Sequence, residues 1–461
     1  MIPLRLGEIA AACGGVICDG TEDLLVDGPA EVDSRLVSPG GLFVAVPGER
    51  VDGHDFAAAA TAAGAAAVLA TRPVGVPAVL VADTVTALGR LAGLVVPRLA
   101  AEHDLVVVAI TGSQGKTSTK DLVAAVLEAR GQTVAAPGSF NNEIGLPLTA
   151  LRATPATRHL VLEMGARGIG HVRYLCEIAP PRIGVVLNVG VAHVGEFGSR
   201  QNIALAKGEL VEALPAHGAA VLNADDPLVA GMAPRTRARV VTFGLRGAQV
   251  TAADVTLDAG RARFELVTPA GRAPVALQLH GAHQVGNALA AAAVGHEAGM
   301  TAEEISTALG AAGPRSRWRM EVSTRADGLT VVNDAYNANP DSMRAALAAT
   351  VAIAGDRRRW AVLGEMRELG ESSAAEHEAL GRLVADMDIS RLLVVGEGAR
   401  ATLAGAQRAR TWAHEPAFAP DAEAALAILR AELRTTDVVL VKASRAVGLE
   451  RIAAGLLEEG T

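Results

Sequence analysis

Short apolar runs and longer amphipathic segments alternate along most of the chain, separated by turns rich in glycine and polar residues. Apolar runs of about four to eight residues predict buried strands, and apolar positions three and four residues apart predict helices packed on a sheet. Such alternation is typical of α/β folds with parallel sheets. Residues 250–279 instead show short runs between glycine turns, which predicts antiparallel hairpins at a sheet edge. The chain is therefore predicted to be an α/β protein.

Three domains are predicted from the places where this pattern is interrupted. Residues 1–103 form a small α/β unit, and residues 104–312 form a central unit whose parallel sheet carries the antiparallel edge strands. Residues 313–461 form a further parallel-sheet unit. Of the 461 residues 50% are hydrophobic but only 3% are aromatic, so we expect cores built from Ala, Val and Leu.

The clearest local pattern is an apolar strand at residues 105–110 that leads into a glycine turn and then a helix. The turn, residues 111–117, reads Thr-Gly-Ser-Gln-Gly-Lys-Thr. In a phosphate loop the backbone N–H groups and the helix N-terminus bind a polyphosphate, Lys116 reaches the outer phosphates and the Thr117 hydroxyl binds Mg²⁺. Ile110 stands where the general pattern has its first glycine. A glycine turn with a solvated lysine is the alternative, but the order of the elements favours the phosphate loop.

The residues predicted to contact the nucleotide in this loop are consecutive. They are Thr111, Gly112, Ser113, Gln114, Gly115, Lys116, Thr117 and Ser118.

Charge and cysteine content narrow the class of protein. A net charge of −8 argues against sequence-independent binding to nucleic acid or to an anionic membrane. Cys13, Cys18 and Cys176 form no Cys-x-x-Cys pair, which favours a reducing compartment. The beginning of the sequence lacks a signal-peptide pattern, and no uninterrupted apolar stretch approaches about 18 residues. We therefore expect a cytoplasmic protein that acts on small or soluble partners.

Three polar side chains of the central region are candidates for functional roles, because ligands of open parallel sheets bind where strands end. Glu163 ends a predicted strand and offers the hard oxygen that Mg²⁺ prefers. His193 follows another strand, although a hydrogen-bonded structural histidine is the commoner case. Lys207 lies in an apolar helix that begins near Ser199. Its side chain would either reach water or, if buried, have a lowered pKa and a reactive neutral amine.

Other polar residues allow both a structural and a functional interpretation. Ser34 and Arg35 follow a short strand, either as ordinary turn residues or as an anion site. Asn287 lies near the start of an alanine-rich helix and would cap it, be a buried polar group or contact a base. In the third unit, four predicted strands end in polar groups, which face a possible ligand cleft. One of them, Lys442, would either meet a carboxylate or be solvated.

Taken together, these stretches resemble the ATP-dependent Mur ligases of peptidoglycan synthesis. The matching motifs span all three predicted domains in order: Asp33-Ser-Arg35, the loop 111–117, Phe140-Asn-Asn-Glu-Ile-Gly-Leu-Pro147, Asn188-Val-Gly-Val-Ala-His193, Ala206-Lys-Gly-Glu209 and Gly281-Ala-His-Gln-Val-Gly-Asn287. The missing first glycine is that family's own variant. Residues 334–343, 363–370 and 440–445 further resemble the members that join D-alanyl-D-alanine to UDP-N-acetylmuramoyl-tripeptide.

The resemblance implies a fold and a reaction. Residues 1–103 would bind the UDP end of the substrate, residues 104–312 would bind ATP, and residues 313–461 would form a Rossmann-like domain. The tripeptide carboxylate would attack the γ-phosphate of ATP, and the amine of D-alanyl-D-alanine would displace phosphate from the acyl phosphate through a tetrahedral intermediate. ATP and two Mg²⁺ ions would be the cofactors, and the protein would be a monomer.

It also implies roles for individual residues. Thr117 and Glu163 would hold one Mg²⁺, while His193 and Lys207, the latter carboxylated on its amine, would hold a second near the acyl phosphate. Lys116 and Arg319 would stabilise the transferring phosphoryl group.

The remaining roles concern the nucleotide and the substrates. Asn287 would contact adenine and Asp334 the ribose of ATP. Ser34 and Arg35 would meet the uridine diphosphate end. The other implied residues are Asn141 and Asn142, as substrate contacts or loop braces, and Tyr336 and Asn337, for adenine or the incoming dipeptide. Gln284 departs from the asparagine of many relatives and receives no role.

Three alternative functions are weaker. The ligase that adds the third residue to the muramoyl dipeptide carries an Asp-Asn-Pro-Arg motif, which this sequence lacks. Folylpolyglutamate synthetase is disfavoured by the developed first domain. A phosphate-loop switch has no need of a second metal site, so Glu163, His193 and Lys207 disfavour it. The choice between lysine and diaminopimelate in the acceptor peptide is not encoded in any of these motifs.

Overall fold

Parallel sheets covered by helices make up most of the molecule, so the α/β prediction is confirmed. A computed structural model describes residues 1–48, 51–190, 197–409 and 412–458. Within these residues the strands form five sheets, of which three have five or six strands.

The first part of the chain folds around a five-stranded mixed sheet with strand order β2-β7-β6-β5-β4. Its elements are β1 Leu4–Arg5, α1 Leu6–Cys13, β2 Val16–Cys18, β3 Leu25–Val26, β4 Ala30–Glu31, β5 Gly41–Val44, α2 Ala57–Ala62, β6 Ala65–Ala70, β7 Ala78–Leu80 and α3 Thr84–His103. Strands β1 and β3 form a separate antiparallel pair.

The central part is a six-stranded parallel sheet with strand order β13-β12-β11-β8-β10-β9. Its elements are β8 Val106–Thr111, α4 Lys116–Glu128, β9 Thr133–Ala135, α5 Gly145–Ala150, β10 His159–Glu163, α6 His171–Ile178, β11 Ile183–Val186, α7 Arg200–Glu212, β12 Ala219–Asn223, α8 Pro227–Ala230 and β13 Arg239–Phe243. Strand β8 lies between β10 and β11, with Val108 opposite Val161 and Ile183. The phosphate-loop strand is therefore central in the sheet.

The predicted antiparallel hairpins form a sheet of their own. It consists of β14 Thr251–Asp258, β15 Arg261–Thr268 and β16 Gly271–His280 and is followed by α9 Gln284–Glu297 and α10 Ala302–Ala311. One bridge, from Phe243 to Val250, connects it with the edge strand of the parallel sheet.

The last part has a six-stranded sheet with strand order β17-β18-β22-β19-β20-β21, parallel except for β17. Its elements are β17 Glu321–Thr324, β18 Thr330–Asn333, α11 Pro340–Ala354, β19 Arg359–Leu363, α12 Ser373–Asp386, β20 Arg391–Val395, α13 Arg400–Gln407, β21 Ala417–Ala419, α14 Ala422–Glu432, β22 Val438–Lys442 and α15 Glu450–Glu458.

The central sheet is buried on both faces. Successive residues of a strand point to opposite faces and so pack into two different cores. Val107 and Leu160 pack into a core shared with residues of the first part of the chain, including Leu88 and Leu91 of α3. Val108 and its neighbours on the other face pack against α4 and α9. The strands therefore read as continuous apolar runs, as expected for a parallel sheet covered on both sides.

Helix α3 is long and apolar enough, by length and composition, to cross a membrane, and half of its most apolar window is buried inside the molecule. Leu88, Leu91 and Val95 of this helix are core residues. A core helix passes the same test of length and composition, so the apolar face of α3 is explained by this packing.

Candidate active site

The glycine turn after β8 adopts the geometry of a phosphate loop. Thr111 ends the strand, and its hydroxyl donates a hydrogen bond to the carbonyl oxygen of Met164 at 2.9 Å. Gly115 has a φ of +79°, and a Cβ atom there would lie 2.7 Å from Oδ1 of Asn287. Both the backbone conformation and the close neighbour therefore require glycine before α4 begins at Lys116.

A neighbouring strand end holds the loop in shape. Oδ1 of Asn188, which follows β11, accepts hydrogen bonds from the backbone N–H groups of Ser113 at 2.9 Å and Gln114 at 3.0 Å. The hydroxyl oxygen of Ser113 in turn accepts the N–H of Gly190 at 2.9 Å. The loop is thus preorganised by β11, which pairs with β8 in the sheet.

Lys116 bends back over the loop. Its ammonium donates a hydrogen bond to the carbonyl oxygen of Gly112 at 2.8 Å. Burial lowers the pKa of Lys116 from its usual value, Arg319 lowers it further, and the carboxylates of Glu163 and Glu368 oppose the shift. A phosphate group placed here would meet two cations, Lys116 and Arg319.

Glu163 receives hydrogen bonds on both carboxylate oxygens. Thr117 donates its hydroxyl to Oε2 at 2.8 Å, and Ser139 and Asn141 donate to Oε1 at 2.9 and 2.6 Å. Burial alone would raise the pKa of Glu163, but Lys116, Arg319 and the hydrogen bonds outweigh it, so the pKa lies below its usual value. An ionised carboxylate beside a hydroxyl is a pair of hard oxygen donors, which fits the predicted Mg²⁺.

Lys207 projects from α7 and lines the same cleft. It is 4% exposed, and no hydrogen-bond acceptor faces its amine among the residues that the structure describes. Burial, with a smaller effect of Lys116, holds the pKa of Lys207 well below its usual value. The predicted partner His193 lies outside the described residues, so the pairing stays a prediction. In the described ranges no three His, Cys, Asp or Glu side chains come together as a metal cluster.

The opposite wall of the cleft comes from the last part of the chain. The guanidinium carbon of Arg319 lies 4.2 Å from the centre of the Tyr336 ring, and its buried Nε has no hydrogen-bond partner among the described residues. Asp334 accepts the N–H of Met320 at 3.0 Å and the ammonium of Lys442 at 2.6 Å. Of the two readings of Lys442, the structure supports the one in which a carboxylate is its partner.

Together these walls enclose a cavity of about 420 Å³, within the usual range for small-molecule sites. Most of the predicted site residues line it, namely Ser113, Gln114, Gly115, Lys116, Thr117, Ser118, Asn141, Asn142, Glu163, Lys207, Asn287, Arg319, Asp334, Tyr336 and Asn337. Further lining residues that received no role from the sequence include Ser139, His283, Glu368 and Arg445. Ser139 lies two positions before Asn141, and that proximity was the one available signal for it.

Ser34 and Arg35 do not line this cleft. Arg35 is exposed and forms an ion pair with Asp33 at 2.6 Å, and its hydrogen bonds hold the pKa of that carboxyl at about 2. Their predicted contact with the uridine diphosphate end of a substrate stays a prediction.

The predicted asparagines have internal partners. Asn287 lies inside α9 and does not cap it; it accepts a hydrogen bond from Thr119 at 3.2 Å and donates one to Gln284 at 2.8 Å. Asn142 accepts the N–H of Gly145 at 2.9 Å, while Asn141 supports Glu163. Of the two readings given to Asn141 and Asn142, the contacts support the loop brace, and a substrate contact stays a prediction.

Family models for Mur ligases match three successive segments of the chain. The model described as "Mur ligase family, catalytic domain" matches residues 30–96, "Mur ligase middle domain" matches residues 110–295, and "Mur ligase, glutamate ligase domain" matches residues 318–445. The phosphate loop, Glu163 and Lys207 lie within the second segment, and Arg319 and Asp334 lie within the third.

Whole-length relatives and solved structures agree. The UDP-N-acetylmuramoyl-tripeptide–D-alanyl-D-alanine ligase of Mycobacterium tuberculosis is 51% identical over 505 aligned positions that cover 100% of this chain and 99% of the relative. The Escherichia coli ligase of that name is 35% identical, with full coverage of both chains. The crystal structure of MurF from Acinetobacter baumannii has a TM-score of 0.88 at 32% identity and 99% coverage of each chain.

A further similar structure is a complex with a nucleotide. MurF ligase from Thermotoga maritima in complex with ADP has a TM-score of 0.80 at 31% identity, covering 95% of this chain and 99% of its own. With the cleft geometry and the family models on the same residues, these likenesses show that this chain belongs to the Mur ligase family.

Proposed function

We propose that this protein is the ATP-dependent ligase that adds D-alanyl-D-alanine to UDP-N-acetylmuramoyl-tripeptide, giving the pentapeptide precursor of peptidoglycan and ADP. Relatives covering the whole chain carry the name of this activity. The observation that carries the proposal is the phosphate loop whose Lys116 and Thr117 face Glu163 on one wall and Arg319 on the other. That arrangement is suited to phosphoryl transfer from ATP.

The first chemical step needs neutralised charge more than a nucleophilic side chain. As the tripeptide carboxylate attacks the γ-phosphate, negative charge develops on the transferring phosphoryl oxygens. Lys116 and Arg319 would stabilise this charge from opposite sides, while the backbone of the loop 111–118 holds the phosphates. Mg²⁺, when bound at Thr117 and Glu163, would neutralise the phosphate oxygens.

Lys207 and His193 would serve the acyl-phosphate end of the site. The neutral amine of a buried lysine can add CO₂ with loss of a proton, and the resulting anionic carbamate can bind Mg²⁺, whereas the protonated ammonium would repel it. We therefore propose that Lys207 is carboxylated on its amine and holds a second Mg²⁺ together with His193. The incoming amine of D-alanyl-D-alanine then displaces phosphate.

Substrate contacts are distributed over the predicted units 1–103, 104–312 and 313–461. Ser34 and Arg35 would bind the uridine diphosphate end, and Asn141 and Asn142 would lie between the two substrates. The remaining proposed contacts are Asn287 and Asp334 to the adenosine of ATP and Tyr336 and Asn337 to adenine or the dipeptide. We further propose a monomer located in the cytoplasm.

The test measures phosphate release from MgATP with UDP-N-acetylmuramoyl-tripeptide, with and without D-alanyl-D-alanine. The mass of the UDP-linked product is followed in the same reactions. We expect release only with both substrates and a product heavier by the dipeptide less water. ATP turnover independent of both substrates, with no heavier product, would contradict the ligase and support a nucleotide switch.

Two variants sharpen this test. Lys116→Met removes one cation from the transferring phosphoryl and should reduce turnover by about 10² to 10³. Arg315→Gln is the matched control, because Arg315 is paired with Glu128 outside the cleft, and it should keep the parent rate.

A further inference from the structure

Lysine is rare in this chain and lies in one region of it. Of the 42 Lys and Arg residues only Lys116, Lys120, Lys207 and Lys442 are lysines. Three of these line the cleft, whereas Lys120 lies one turn further along α4 and is fully buried. Arginine serves every other cationic position. An ammonium is a compact charge with three donors and a guanidinium a planar fork, so each lysine marks a position where the two are not interchangeable.

The surroundings of Lys120 match an ammonium. Its Nζ donates hydrogen bonds to the carbonyl oxygens of Ala136 and Gly138, the latter at 2.9 Å. Oδ1 of Asp121 lies 2.9 Å from the same nitrogen. Two hydrogen bonds and an ion pair thus surround the ammonium, and the buried charge is compensated. Both carbonyl groups belong to the loop that follows β9.

That loop continues directly to the residues that hold Glu163. Ser139, next to Gly138, and Asn141 both donate to Oε1 of Glu163. Oε2 of the same carboxylate accepts the hydroxyl of Thr117, which lies three residues before Lys120 on α4. The contacts therefore close a ring in which one helix holds Glu163 directly through Thr117 and indirectly through Lys120 and the loop.

We propose that Lys120 is a positioning residue that fixes the loop 136–141 and thereby orients the Glu163 carboxylate for Mg²⁺. This role rests on the proposed ATP-dependent function, because it concerns the metal that accompanies the nucleotide. Lys120 itself is fully buried and does not line the cleft. Residues that support a metal ligand in this way determine how well the ligand is oriented before the metal arrives.

The experiment measures binding of a fluorescent ATP analogue to the full chain in the presence of EDTA and in the presence of Mg²⁺. The dissociation constant in EDTA divided by that in Mg²⁺ reports what the metal adds to nucleotide affinity. In Lys120→Met we expect this ratio to fall by about tenfold, the lower end of the loss that follows removal of an outer support of a metal ligand. The dissociation constant in EDTA should stay close to that of the parent, because the phosphate loop is intact.

Two further variants make the result specific. Arg358→Met breaks a partly buried ion pair with Asp437 in the last sheet, far along the chain from the loop, so it controls for general loss of stability and should keep the parent ratio. Ser139→Ala removes one donor to Glu163 and creates little space, so it tests the same ring even if Lys120→Met fails to fold. It should lower the ratio in the same direction.

An unchanged ratio in Lys120→Met, or in Ser139→Ala if the first variant does not fold, would overturn the proposal. The failure of the proposed function would look different. In that case the parent protein would bind the analogue but form no amide product, whatever the ratio in the variants.

Discussion

At the scale of single residues, the acid and the amine of the cleft are both buried, but the pKa values of Glu163 and Lys207 show that only the acid is compensated. Glu163 stays ionised because two cations and three donors surround it. Lys207 has no such compensation among the described residues, and its pKa is lowered by burial and by Lys116. Burial thus disfavours the charged form of both groups, and among the described residues only the carboxylate has neighbours that outweigh this effect.

The chemistry of Lys207 leads to a rescue experiment. Lys207→Ala should lose most of the amide-forming activity, because the proposed carbamate ligand is gone. Short carboxylic acids such as acetate should restore part of it by occupying the vacated space with a carboxylate. The rate of pentapeptide formation with and without the acid is the measurement. Full activity of the variant without rescue would end the proposal that Lys207 carries a carbamate.

His159, the first residue of β10, predicts a pH dependence of stability. Burial and the neighbouring Arg158 and Arg130 lower the pKa of His159 from 6.5 to about 4. Between these values the unfolded chain binds a proton that the folded chain does not, so stability falls as the pH drops from 6.5 to 4.

In His159→Gln this contribution is absent. The thermal unfolding midpoint of the variant should therefore decline less steeply than that of the parent over the same pH range. Parallel curves for the two proteins would show that other groups dominate.

At the scale of elements, α7 depends on a glycine that its sequence motif places beside Lys207. Arg235 crosses the helix there, and its guanidinium donates to the carbonyl oxygens of Ala204 and Leu205 and pairs with Glu212. A Cβ atom on Gly208 would lie 1.8 Å from Nη1 of Arg235. The glycine therefore allows the clamp that holds the helix.

Gly208→Ala should accordingly lower the free energy of unfolding by roughly 1–3 kcal/mol, the usual range for overpacking. The effect should depend on Arg235: in an Arg235→Ala background the same substitution should cost almost nothing, because the added methyl group then has space. Denaturant unfolding of the four proteins measures this coupling. Equal costs in both backgrounds would mean that Arg235 is not the obstacle.

Elements with strong local signals were predictable. The helix expected near Ser199 does begin there, with the Ser199 hydroxyl oxygen accepting the N–H of Asn202 at 3.2 Å. The capping box at Thr301 and Glu304 is present. Strand β17 was not predicted, because its four residues, three half-buried and one exposed, lack an apolar run. The hairpins were expected at the edge of the parallel sheet, whereas they form a separate three-stranded sheet. Which sheet a hairpin joins depends on packing against residues that are distant in the sequence.

The site was predictable where strand ends define it. Glu163 could be placed because parallel strands bring their carboxyl ends to one edge. Lys442 could not, since its partner Asp334 lies 108 positions earlier and only the folded sheet brings the two together. The support of Glu163 by Ser139 and Lys120 likewise depends on a loop whose path no local pattern encodes.

At the scale of the whole molecule, the cleft has one wall from the central sheet and the other from the last part of the chain. Lys116 and Glu163 lie on the first wall, Arg319 and Tyr336 on the second. A nucleotide in the cleft would contact both walls and so connect the two parts of the chain.

MgATP should therefore raise the unfolding temperature of both parts together. At about 100 times its dissociation constant a ligand adds about 2.7 kcal/mol to the free energy of unfolding. Arg319→Ala should reduce the shift, while Arg344→Ala, an exposed change on α11, should not. Calorimetry with and without MgATP measures it. Two transitions of which only one responds would show that the nucleotide stabilises one wall alone.

Because lysine is confined to the cleft region, cleavage by a lysine-specific protease reports on the unfolding of that region. Such an enzyme has four cleavage sites in 461 residues, and Lys120, Lys207 and Lys442 are buried. Resistance to digestion therefore monitors the integrity of one small region, and not of surface loops. Cutting first after residue 442 would indicate that the last sheet unfolds before the rest, whereas cutting first after residue 120 would point to the phosphate-loop helix.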